Sequence, residues 1–420
     1  MNLPLYIAKR FLKGEKSSND QSKRASKPAI HVATFGVAIG IAVMIISISV
    51  VGGYKNEIGK KITGFTSHIE VLSPRTLYTP DSSPIITDSN LTKGIGNIES
   101  VKRVARVSEK IGILKTVEAY QSIRLKGISS EYDTTFLSKN LVAGRLPKFQ
   151  AGSPTNEILL SQSQADALEI ELGSSVYAYF FEEAIKTRRF KVVGIFKTNL
   201  KIFDNSYVLT DIQSVNKLNG WSEDKCSYLE IYTADYDYDQ VYETCKEINL
   251  LTQKLALENG ETPRIITAKE LYPQIFSWLE LLDFNIWVIL ILMVCVGIFT
   301  MISGLLILIL ERTSAIGTLK ALGATNTQIR HTFLYFAAFI IGRGLLWGNL
   351  LGLGFIWIQD KWGIIRLNAD NYYMEIVPVE LNLVHLLLLN IGTLLITILA
   401  LIAPSFIISK IEPAKVIRFD

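Results

Sequence analysis

The sequence predicts an α-helical membrane protein with four transmembrane helices, one before and three after a large mixed α/β extracytoplasmic domain. The mean hydropathy is +0.28, and 49% of the residues are hydrophobic although 20% are charged. This combination indicates that the apolar residues are gathered into blocks. Four blocks are long enough to cross a hydrocarbon core of about 30 Å as helices. The segment between the first two blocks alternates strand-like and helix-like runs, which is typical of a mixed α/β domain.

The positions of the blocks divide the chain into segments. The predicted boundaries are residues 1–28 for a cytoplasmic amphipathic helix and basic linker, 29–54 for the first transmembrane helix, 55–282 for the outer domain, 283–310 for the second transmembrane helix, 311–331 for a cytoplasmic loop, 332–358 for the third helix, 359–382 for a short outer loop, 383–408 for the fourth helix and 409–420 for a cytoplasmic tail. We expect the first block to be retained rather than cleaved as a signal peptide, because a long polar stretch precedes it and no small-residue cleavage site follows it.

Lysine and arginine near the ends of the blocks predict the orientation. They outnumber acidic residues before the first block, between the second and third blocks, and in the tail, at Lys9, Arg10, Lys13, Lys16, Lys23, Arg24, Lys27, Arg312, Lys320, Arg330, Lys410, Lys415 and Arg418. Cytoplasmic loops carry such an excess, so both termini and the 311–331 loop are predicted to be cytoplasmic. Residues 2–13 mix apolar and basic side chains, which favours a short amphipathic helix on the inner leaflet; the alternative is a disordered basic tail.

The outer domain is predicted to contain both strands and helices. Strands are expected at 68–73, 122–129, 157–161, 174–181, 188–198, 206–210 and 228–233, and helices at 99–110, 161–171, 211–219 and 238–259. A change of composition near 143–154 indicates a boundary. It predicts a subdomain at 143–227, inserted in a unit made of residues 60–142 and 228–275.

No set of catalytic residues is evident, so we do not expect an enzyme. The chain has four histidines, and it lacks a metal-ligand cluster, a nucleophile elbow and the GxxxxGK[ST] phosphate-binding loop. We therefore expect no cofactor on this chain, and a net charge of only +4 argues against nucleic acid as a partner. Cys226 and Cys245 are either one disulfide or two free thiols.

Small residues and one charge mark the transmembrane blocks. Gly36 and Gly40 recur at a spacing of four, and so do Gly344, Gly348 and Gly352. Glycines at this spacing share one helix face and allow a neighbouring helix to approach closely.

Arg343 lies well inside the third block, where a charge is costly. It is expected to face protein or a water-filled crevice, or to snorkel, either as a contact that changes during a cycle or as a paired anchor.

The loop LERTSAIGTLKALGATNTQIRHTFL (310–334) predicts a short helix over 312–322. Ile316, Leu319 and Leu322 fall on one side of this helix. An apolar face on a cytoplasmic helix that is joined to two transmembrane helices favours docking into a partner protein. The alternative is a helical turn that rests on the membrane surface.

Three stretches together resemble a known family. They are YIAKRFLKGEKS followed by FGVAIGIAVMIISISVVGGYKNEI, the loop LERTSAIGTLKALGATNTQIRHTFL, and the end PSFIISKIEPAKVIRFD. They are similar to the elbow helix and first span, the cytoplasmic signature and the closing motif of the lipoprotein-releasing permeases, four-span members of the FtsX-like and MacB-like group of ABC transporters. The resemblance covers essentially the whole chain.

The resemblance implies an architecture and a set of partners. The outer domain would be a MacB-like periplasmic core domain, made of a porter-like unit with an inserted subdomain. Residues 311–324 would be the coupling helix on a separate ATPase, with Glu311, Arg312, Lys320, Ala321, Leu322 and Gly323 at the matching positions. Two ATPase copies, which bind ATP and Mg, and a second permease chain, identical or paralogous, would complete the complex in the bacterial inner membrane. ATP hydrolysis would move the outer domain by mechanotransmission and release lipoproteins or another envelope substrate from the membrane lipids.

Two departures and three alternatives accompany this interpretation. The turn at 181–188 is short where carrier-recruiting members have an extended hook, which puts direct recruitment of a periplasmic carrier in doubt. Arg343 is unusual in a glycine-rich third span. The alternatives are an efflux permease of the macrolide type, a cell-envelope signalling permease and, from another class, a membrane-anchored binding protein without energy coupling.

Overall fold

The computed structural model describes residues 4–8, 22–77, 82–87, 89–149, 154–181, 184–234, 238–259 and 262–410. The chain forms two compact units. Unit 1 consists of Met1–Lys55, Trp278–Arg366 and Ile376–Asp420, and unit 2 consists of Asn56–Ser277 and Leu367–Glu375. Most of the predicted N-terminal helix and linker, and the closing motif after residue 410, lie outside the described residues.

Four apolar helices dominate unit 1, and they confirm the four predicted blocks. The first helix is Ser22–Phe65, apolar from Ile30 onwards, the second is Pro273–Glu311 and the third is Asn326–Trp362. The fourth is Leu383–Ser405, and its apolar span continues to Ile408 in the 3-10 turn Phe406–Lys410. By length and composition each can cross a bilayer. The third helix begins with a capping box of Thr325 and Gln328 and ends at Gly363, whose positive φ stops the helix.

The core of unit 1 is made by the inward faces of these helices. It joins side chains from all four, among them Ile41, Leu305, Phe336 and Leu401. An amide pair adds a polar contact between the third and fourth helices. Asn349 Nδ2 donates to Asn390 Oδ1 at 2.6 Å, and Asn390 Nδ2 donates to Asn349 Oδ1 at 3.1 Å. Such reciprocal bonds satisfy both amides where no water is available.

Unit 2 is a mixed α/β unit, as predicted. Its strands are β1 Ile69–Leu72, β2 Ile85–Ile86, β3 Val101–Lys115, β4 Tyr120–Ile128, β5 Leu141–Gly144, β6 Glu157–Ser161, β7 Ser175–Phe181, β8 Ile185–Phe196, β9 Tyr207–Asp211, β10 Lys225–Cys226, β11 Tyr228–Thr233 and β12 Arg264–Thr267. Its helices are Ser89–Gly96, Thr135–Lys139, Gln162–Ala167, Lys201–Asp204, Ile212–Asn219, Tyr238–Asn259, Ala268–Leu271 and Ala369–Tyr372. A 3-10 turn occupies Pro74–Leu77.

Most strands of unit 2 belong to one sheet with the order β12-β1-β11-β3-β4-β9-β6-β8-β5, and β7 pairs with β3 and β8. The pairs β4–β9 and β6–β8 are parallel, and the other pairs are antiparallel. β3 is long enough to pair with β11 over one part and with β7 over another. The sheet therefore continues from the part near β1 to the part near β8 through this one strand and its neighbour β4.

The predicted helix at 99–110 is wrong, because these residues belong mainly to β3. Apolar residues at Val101, Val104, Val107 and Ile111 are three or four apart, and this spacing imitates the period of a helix. β3 is buried on both faces over its middle, at positions 107–110. A strand covered on both faces has no alternation of apolar and polar residues, so the pattern that normally identifies a strand is missing.

The predicted division of unit 2 stays a prediction. One apolar cluster joins Leu114, Ile123 and Leu125 with Ile158 and Phe190, which lie on the other side of the proposed boundary near 143. A second cluster surrounds Ile69, Leu229 and Ile248. At the proposed hook position β7 and β8 pair as far as Phe181 and Ile185, which leaves no length of chain for an extended hook between them.

Candidate functional site

The segment between the second and third apolar helices forms a short helix, Thr313–Ala321, which we name the connecting helix. It ends in two characteristic bonds: Gly323 N donates to Lys320 O, and Ala324 N donates to Leu319 O, both at 3.0 Å. This is the Schellman ending, which requires a left-handed residue at its turn. Gly323 has φ +91°, so glycine at this signature position sets the end of the connecting helix.

The faces of the connecting helix differ from the prediction. Ile316 is 1% exposed and belongs to the core of unit 1, and Leu319 is packed against the same core. Leu322 is 80% exposed. Of the three apolar residues expected to dock, Ile316 is buried in its own chain and only Leu322 is freely accessible. The accessible surface is therefore Leu322 with its exposed neighbours Thr318 and Ala321.

The other signature residues lie at the two ends of the connecting helix. Glu311 closes the second apolar helix, and its Oε2 is buried with no hydrogen-bond partner in the described part of the chain. Arg312 occupies the position before the connecting helix. Lys320 Nζ donates to Ile408 O at 2.9 Å, at the end of the fourth apolar helix.

Gly344, Gly348 and Gly352 of the third apolar helix lie where this helix contacts the first apolar helix closely. A Cβ at Gly344 would stand 2.7 Å from Val37 Cγ1, and a Cβ at Gly348 would stand 2.7 Å from Ala38 O. At Gly352 the nearest atom, Ile45 Cβ, would be 3.1 Å away. At Gly344 and Gly348 these distances leave no room for a side chain, whereas at Gly352 the Ile45 side chain would have to shift by a few tenths of an ångström. The three glycines therefore permit the close approach of the third helix to the first.

The two glycines of the first apolar helix, Gly36 and Gly40, lie on its side towards the second apolar helix. A Cβ at Gly36 would stand 2.8 Å from Thr300 Cγ2, whereas the nearest atom at Gly40 is Met293 O at 3.9 Å. Only Gly36 is therefore at a tight contact.

Arg343 is exposed on the outer side of the third helix, facing away from the chain's own core. Neither of the two predicted roles is decided by this position.

A buried charge cluster lies on the sheet of unit 2, made of Glu70, Glu109, Lys126 and Glu230, each at most 6% exposed. Lys126 Nζ donates to Glu230 Oε1 at 2.7 Å and to Phe65 O at 2.8 Å. Phe65 is the last residue of the first apolar helix. The lysine therefore caps the carbonyl end of that helix and joins it to β11.

Further bonds complete the surroundings of Lys126. Tyr132 Oη also donates to Phe65 O at 2.8 Å, and Tyr232 Oη donates to Glu230 Oε2 at 2.8 Å. Both oxygens of Glu230 thus accept a hydrogen bond, as an ionised carboxylate does. Burial alone would lower the pKa of Lys126, but the neighbouring Glu230 carboxylate outweighs it, so the pKa is raised and the lysine stays charged.

Burial raises the pKa of two carboxyl groups of the cluster, Glu70 and Glu230, and only Glu230 has Lys126 as a direct ion-pair partner that opposes the rise. Burial raises the pKa of Glu70 well above the ordinary value. Glu230, directly opposite in the β1–β11 pairing, and Glu109 raise it further. Lys126 and Arg124 act in the opposite direction with smaller effect. Arg124 is engaged with Glu109 at 2.9 Å, and in the described part of the chain no lysine or arginine is ion-paired with Glu70.

The stability of unit 2 should therefore depend on the protonation of Glu70. Its folded-state pKa lies above its unfolded value, so the stabilisation is complete below the unfolded pKa and is lost as the pH rises towards the folded pKa. Half-buried His68, whose pKa is lowered to about 4 by burial, acts in the opposite sense between pH 4 and 6.5. We expect the free energy of unfolding of the natural chain to fall with rising pH relative to Glu70→Gln, which lacks this titration but retains His68. Urea titrations at about pH 5 to 8 measure the difference, and parallel pH profiles for the two proteins would contradict the prediction.

Sequence reasoning missed this cluster. The available signal is charge inside otherwise strand-like runs: Arg124 and Lys126 in SIRLKGIS, and Glu230 in YLEIYT. A strand of a buried sheet rarely carries a buried charge unless that charge is paired.

Three further features bear on a binding role: the cysteines, possible metal ligands and a groove. Cys226, Cys245 and Cys295 are free thiols. Among the described residues no group of three or more His, Cys, Asp or Glu side chains is arranged to hold a metal ion. An open groove of about 500 Å³ lies in unit 1 between the first and third apolar helices, lined by His31, Val32, Thr34, Phe35, Ala38, Trp347 and Leu351.

Four apolar helices, a large α/β unit between the first two and a short helix between the next two define a class of membrane permease. Residues 32–243, half of the chain, match the MacB-like periplasmic core domain, and residues 287–413 match the FtsX-like permease C-terminal region. The chain belongs to the family of ABC transporter permeases that combine these two parts.

Known relatives extend over the whole chain at low identity. The lipoprotein-releasing system transmembrane protein LolE of Haemophilus influenzae is 20% identical over 99% of both chains. The protein LolC of the same system in Neisseria meningitidis is 23% identical over 100% of both chains. The periplasmic region of MacB from Actinobacillus actinomycetemcomitans is 17% identical and covers 51% of this chain and 95% of its own, with a TM-score of 0.35.

Proposed function

We propose that this chain is a mechanotransmitting permease subunit that couples ATP hydrolysis by a separate ATPase to movement of unit 2, and that it releases lipoproteins from the bacterial inner membrane. The connecting helix is the observation that carries this proposal. One side of it is fixed in the core of unit 1 by Ile316, and the other side presents Leu322 to a partner. A helix of this kind can transmit a displacement from the ATPase to the apolar helices.

The route from the connecting helix to unit 2 follows continuous chain. The second apolar helix begins at Pro273, which lies in unit 2. The first apolar helix ends at Phe65, inside unit 2, where Lys126 and Tyr132 hold its last carbonyl group. A rigid helix with a fixed end moves what it is fixed to, so a shift of the first helix would displace the sheet of unit 2.

The partners and orientation complete the proposal. Two ATPase copies bind ATP and Mg, and this chain itself binds no cofactor. A second permease chain, identical or paralogous, completes the complex. Both termini lie in the cytoplasm and unit 2 in the periplasm. Because β7 and β8 pair as far as Phe181 and Ile185, we do not assign recruitment of a periplasmic carrier to the turn between them.

Lipoproteins are the proposed substrate because both full-length relatives belong to a lipoprotein-releasing system. Depletion of the chain in its host, followed by separation of inner and outer membranes, tests this. We expect outer-membrane lipoproteins to accumulate in the inner membrane. A normal distribution together with sensitivity to exported drugs would instead favour an efflux permease, and altered wall hydrolysis would favour a signalling permease.

The ATPase partner is tested by purification. We expect a P-loop ATPase, encoded beside this chain, to purify with it and to be stimulated in proteoliposomes. Recovery of the folded chain without any ATPase would instead support a membrane-anchored binding protein without energy coupling.

Leu322→Asp is expected to weaken binding of the ATPase by about tenfold or more, because burial of a leucine in an interface contributes about 1.5–3 kcal/mol. The amount of ATPase that purifies with the chain, and the stimulated rate of hydrolysis, measure this effect. The thermal unfolding temperature of the chain should not change, since Leu322 is exposed.

Two variants control this experiment. Ser314→Asp adds the same charge one turn before the exposed Thr318 and measures the extent of the docking surface: normal ATPase binding would confine that surface to Leu322 and its nearest neighbours, and weaker binding would extend it along the helix. Leu319→Asp should lower the unfolding temperature, because Leu319 packs against the core of unit 1. Normal ATPase binding by Leu322→Asp would exclude this surface as the docking site.

A further inference from the structure

Lys320 is bound inside its own chain. Its ammonium group donates to the carbonyl oxygen of Ile408 at 2.9 Å, and Ile408 is fully buried. Lys320 itself is half-buried at the end of the connecting helix, whereas the adjacent Ala321 and Leu322 are exposed. The lysine of the cytoplasmic signature therefore points to the fourth apolar helix and not to the surface that a partner would cover.

Arg330 reaches the same end of the fourth helix from the third. Its guanidinium carbon lies 3.8 Å from the centre of the Phe406 ring, within the range of a cation–π contact. Its Nε donates to Ser405 Oγ at 3.4 Å, and the buried Ser405 donates in turn to Ile402 O at 2.6 Å. Two cations from different elements thus meet one helix end.

The end of the fourth helix is suited to cations. Its last carbonyl groups have no intrahelical partner and carry partial negative charge. Pro404 lies inside the last turn and has no N–H to donate, and the chain continues as a 3-10 turn, Phe406–Lys410. Lysine and arginine side chains satisfy such carbonyl groups at helix C-termini.

We propose that Lys320 and Arg330 are positioning residues that join the connecting helix and the third helix to the end of the fourth helix, so that a displacement of the connecting helix is delivered to the fourth helix as well as to the second and third. The proposal rests on the proposed function in one respect, namely that an ATPase displaces the connecting helix. It assigns to Lys320 a role in transmission and leaves recognition of the ATPase to Leu322 and its exposed neighbours.

Lys320→Met is the central test, since methionine keeps an unbranched stem and removes the charge and the donors. In proteoliposomes with the ATPase, we expect binding of the ATPase within about twofold of the natural level. Substrate release per ATP hydrolysed should fall by about tenfold, the size expected from loss of a hydrogen bond to a charged group. Lys320→Arg should restore coupling, because arginine can donate to the same carbonyl group. Arg330→Met should resemble Lys320→Met.

A measurement on the chain alone supports the test independently of activity. Hydrogen exchange of the backbone amides at 402–408 should be faster in Lys320→Met than in the natural chain, while exchange at 383–395 stays the same. This comparison also applies if the variant is less stable, because a general loss of structure would accelerate both segments.

The outcomes separate this proposal from the proposed function. Unchanged coupling in Lys320→Met, or unchanged exchange at 402–408, would overturn the positioning role. Loss of ATPase binding in Lys320→Met to the extent found in Leu322→Asp would make Lys320 a docking contact and would also overturn it. If Leu322→Asp has no effect on the ATPase, the proposed function fails, whereas the exchange experiment still decides whether Lys320 holds the end of the fourth helix.

Discussion

Lys126→Met is expected to destabilise unit 2 by about 3–5 kcal/mol, the usual cost of removing one partner from a buried ion pair. Lys126 and Glu230 are 1% and 0% exposed at their side chains. The variant would leave the Glu230 carboxylate buried without its cation. It would also remove a donor from the last carbonyl of the first apolar helix, Phe65 O.

The free energy of unfolding can be followed at Cys226. This thiol becomes accessible only when unit 2 unfolds, because it is 0% exposed in the structure, and burial raises its pKa to about 12. Urea titration of the full chain with site-resolved thiol labelling gives the midpoint and slope. A change of less than about 1 kcal/mol in the free energy of unfolding would show that Glu230 takes up a proton at little cost when Lys126 is removed. That result would contradict a stabilising buried ion pair between Lys126 and Glu230.

Two variants place this result in context. Lys126→Met combined with Glu230→Gln should recover part of the lost stability, because neither residue then leaves a buried charge. Lys246→Met breaks an exposed pair with Glu243 and should leave the urea midpoint unchanged, since exposed pairs contribute little.

Gly348→Ala is expected to destabilise the bundle of unit 1 by about 1–3 kcal/mol, the typical cost of overpacking a filled interface. The new Cβ would stand 2.7 Å from Ala38 O and 2.7 Å from Ile41 Cβ. One of these contacts is with backbone, which cannot move aside as a side chain can. The first and third helices would have to separate.

The same helix supplies matched controls for this substitution. A methyl group added at Gly342 or Gly354 would meet no atom of a neighbouring element within 4 Å. Alanine there should therefore leave stability unchanged or raise it, by up to about 1 kcal/mol from the higher helix propensity of alanine. Thermal unfolding in detergent compares the three variants. Equal unfolding temperatures for Gly348→Ala and Gly354→Ala would contradict a tight glycine contact.

The elements that can be predicted from sequence are those whose signal is local. The four apolar blocks follow from length and hydropathy alone. The strands at 157–161 and 228–233 agree with the structure in both boundaries, because β-branched and aromatic residues are dense there. The family resemblance and the positions of its signature residues are also accessible, since they depend on spacing along the chain.

The elements that cannot be predicted depend on contacts between distant segments. β3 resembles a helix in sequence because both of its faces are covered. Ile316 falls on the expected docking face because the helical period shows which residues share a face but not what covers that face. The bond from Lys126 to Phe65 O joins residues that are far apart in sequence, and the preference of a buried lysine for one carbonyl group has no local pattern.

Unit 2 includes Leu367–Glu375, a segment from the connection between the third and fourth apolar helices. Lys61 Nζ donates to Tyr373 O at 2.7 Å and to Thr198 O at 3.1 Å, which ties this segment to the rest of unit 2. The chain consequently passes between the two units at four places, near residues 55, 277, 366 and 375. Each of the four apolar helices is thus joined to unit 2 by its own stretch of chain. Four separate covalent connections therefore tether unit 2 to unit 1, where an ordinary insertion into a chain would have two.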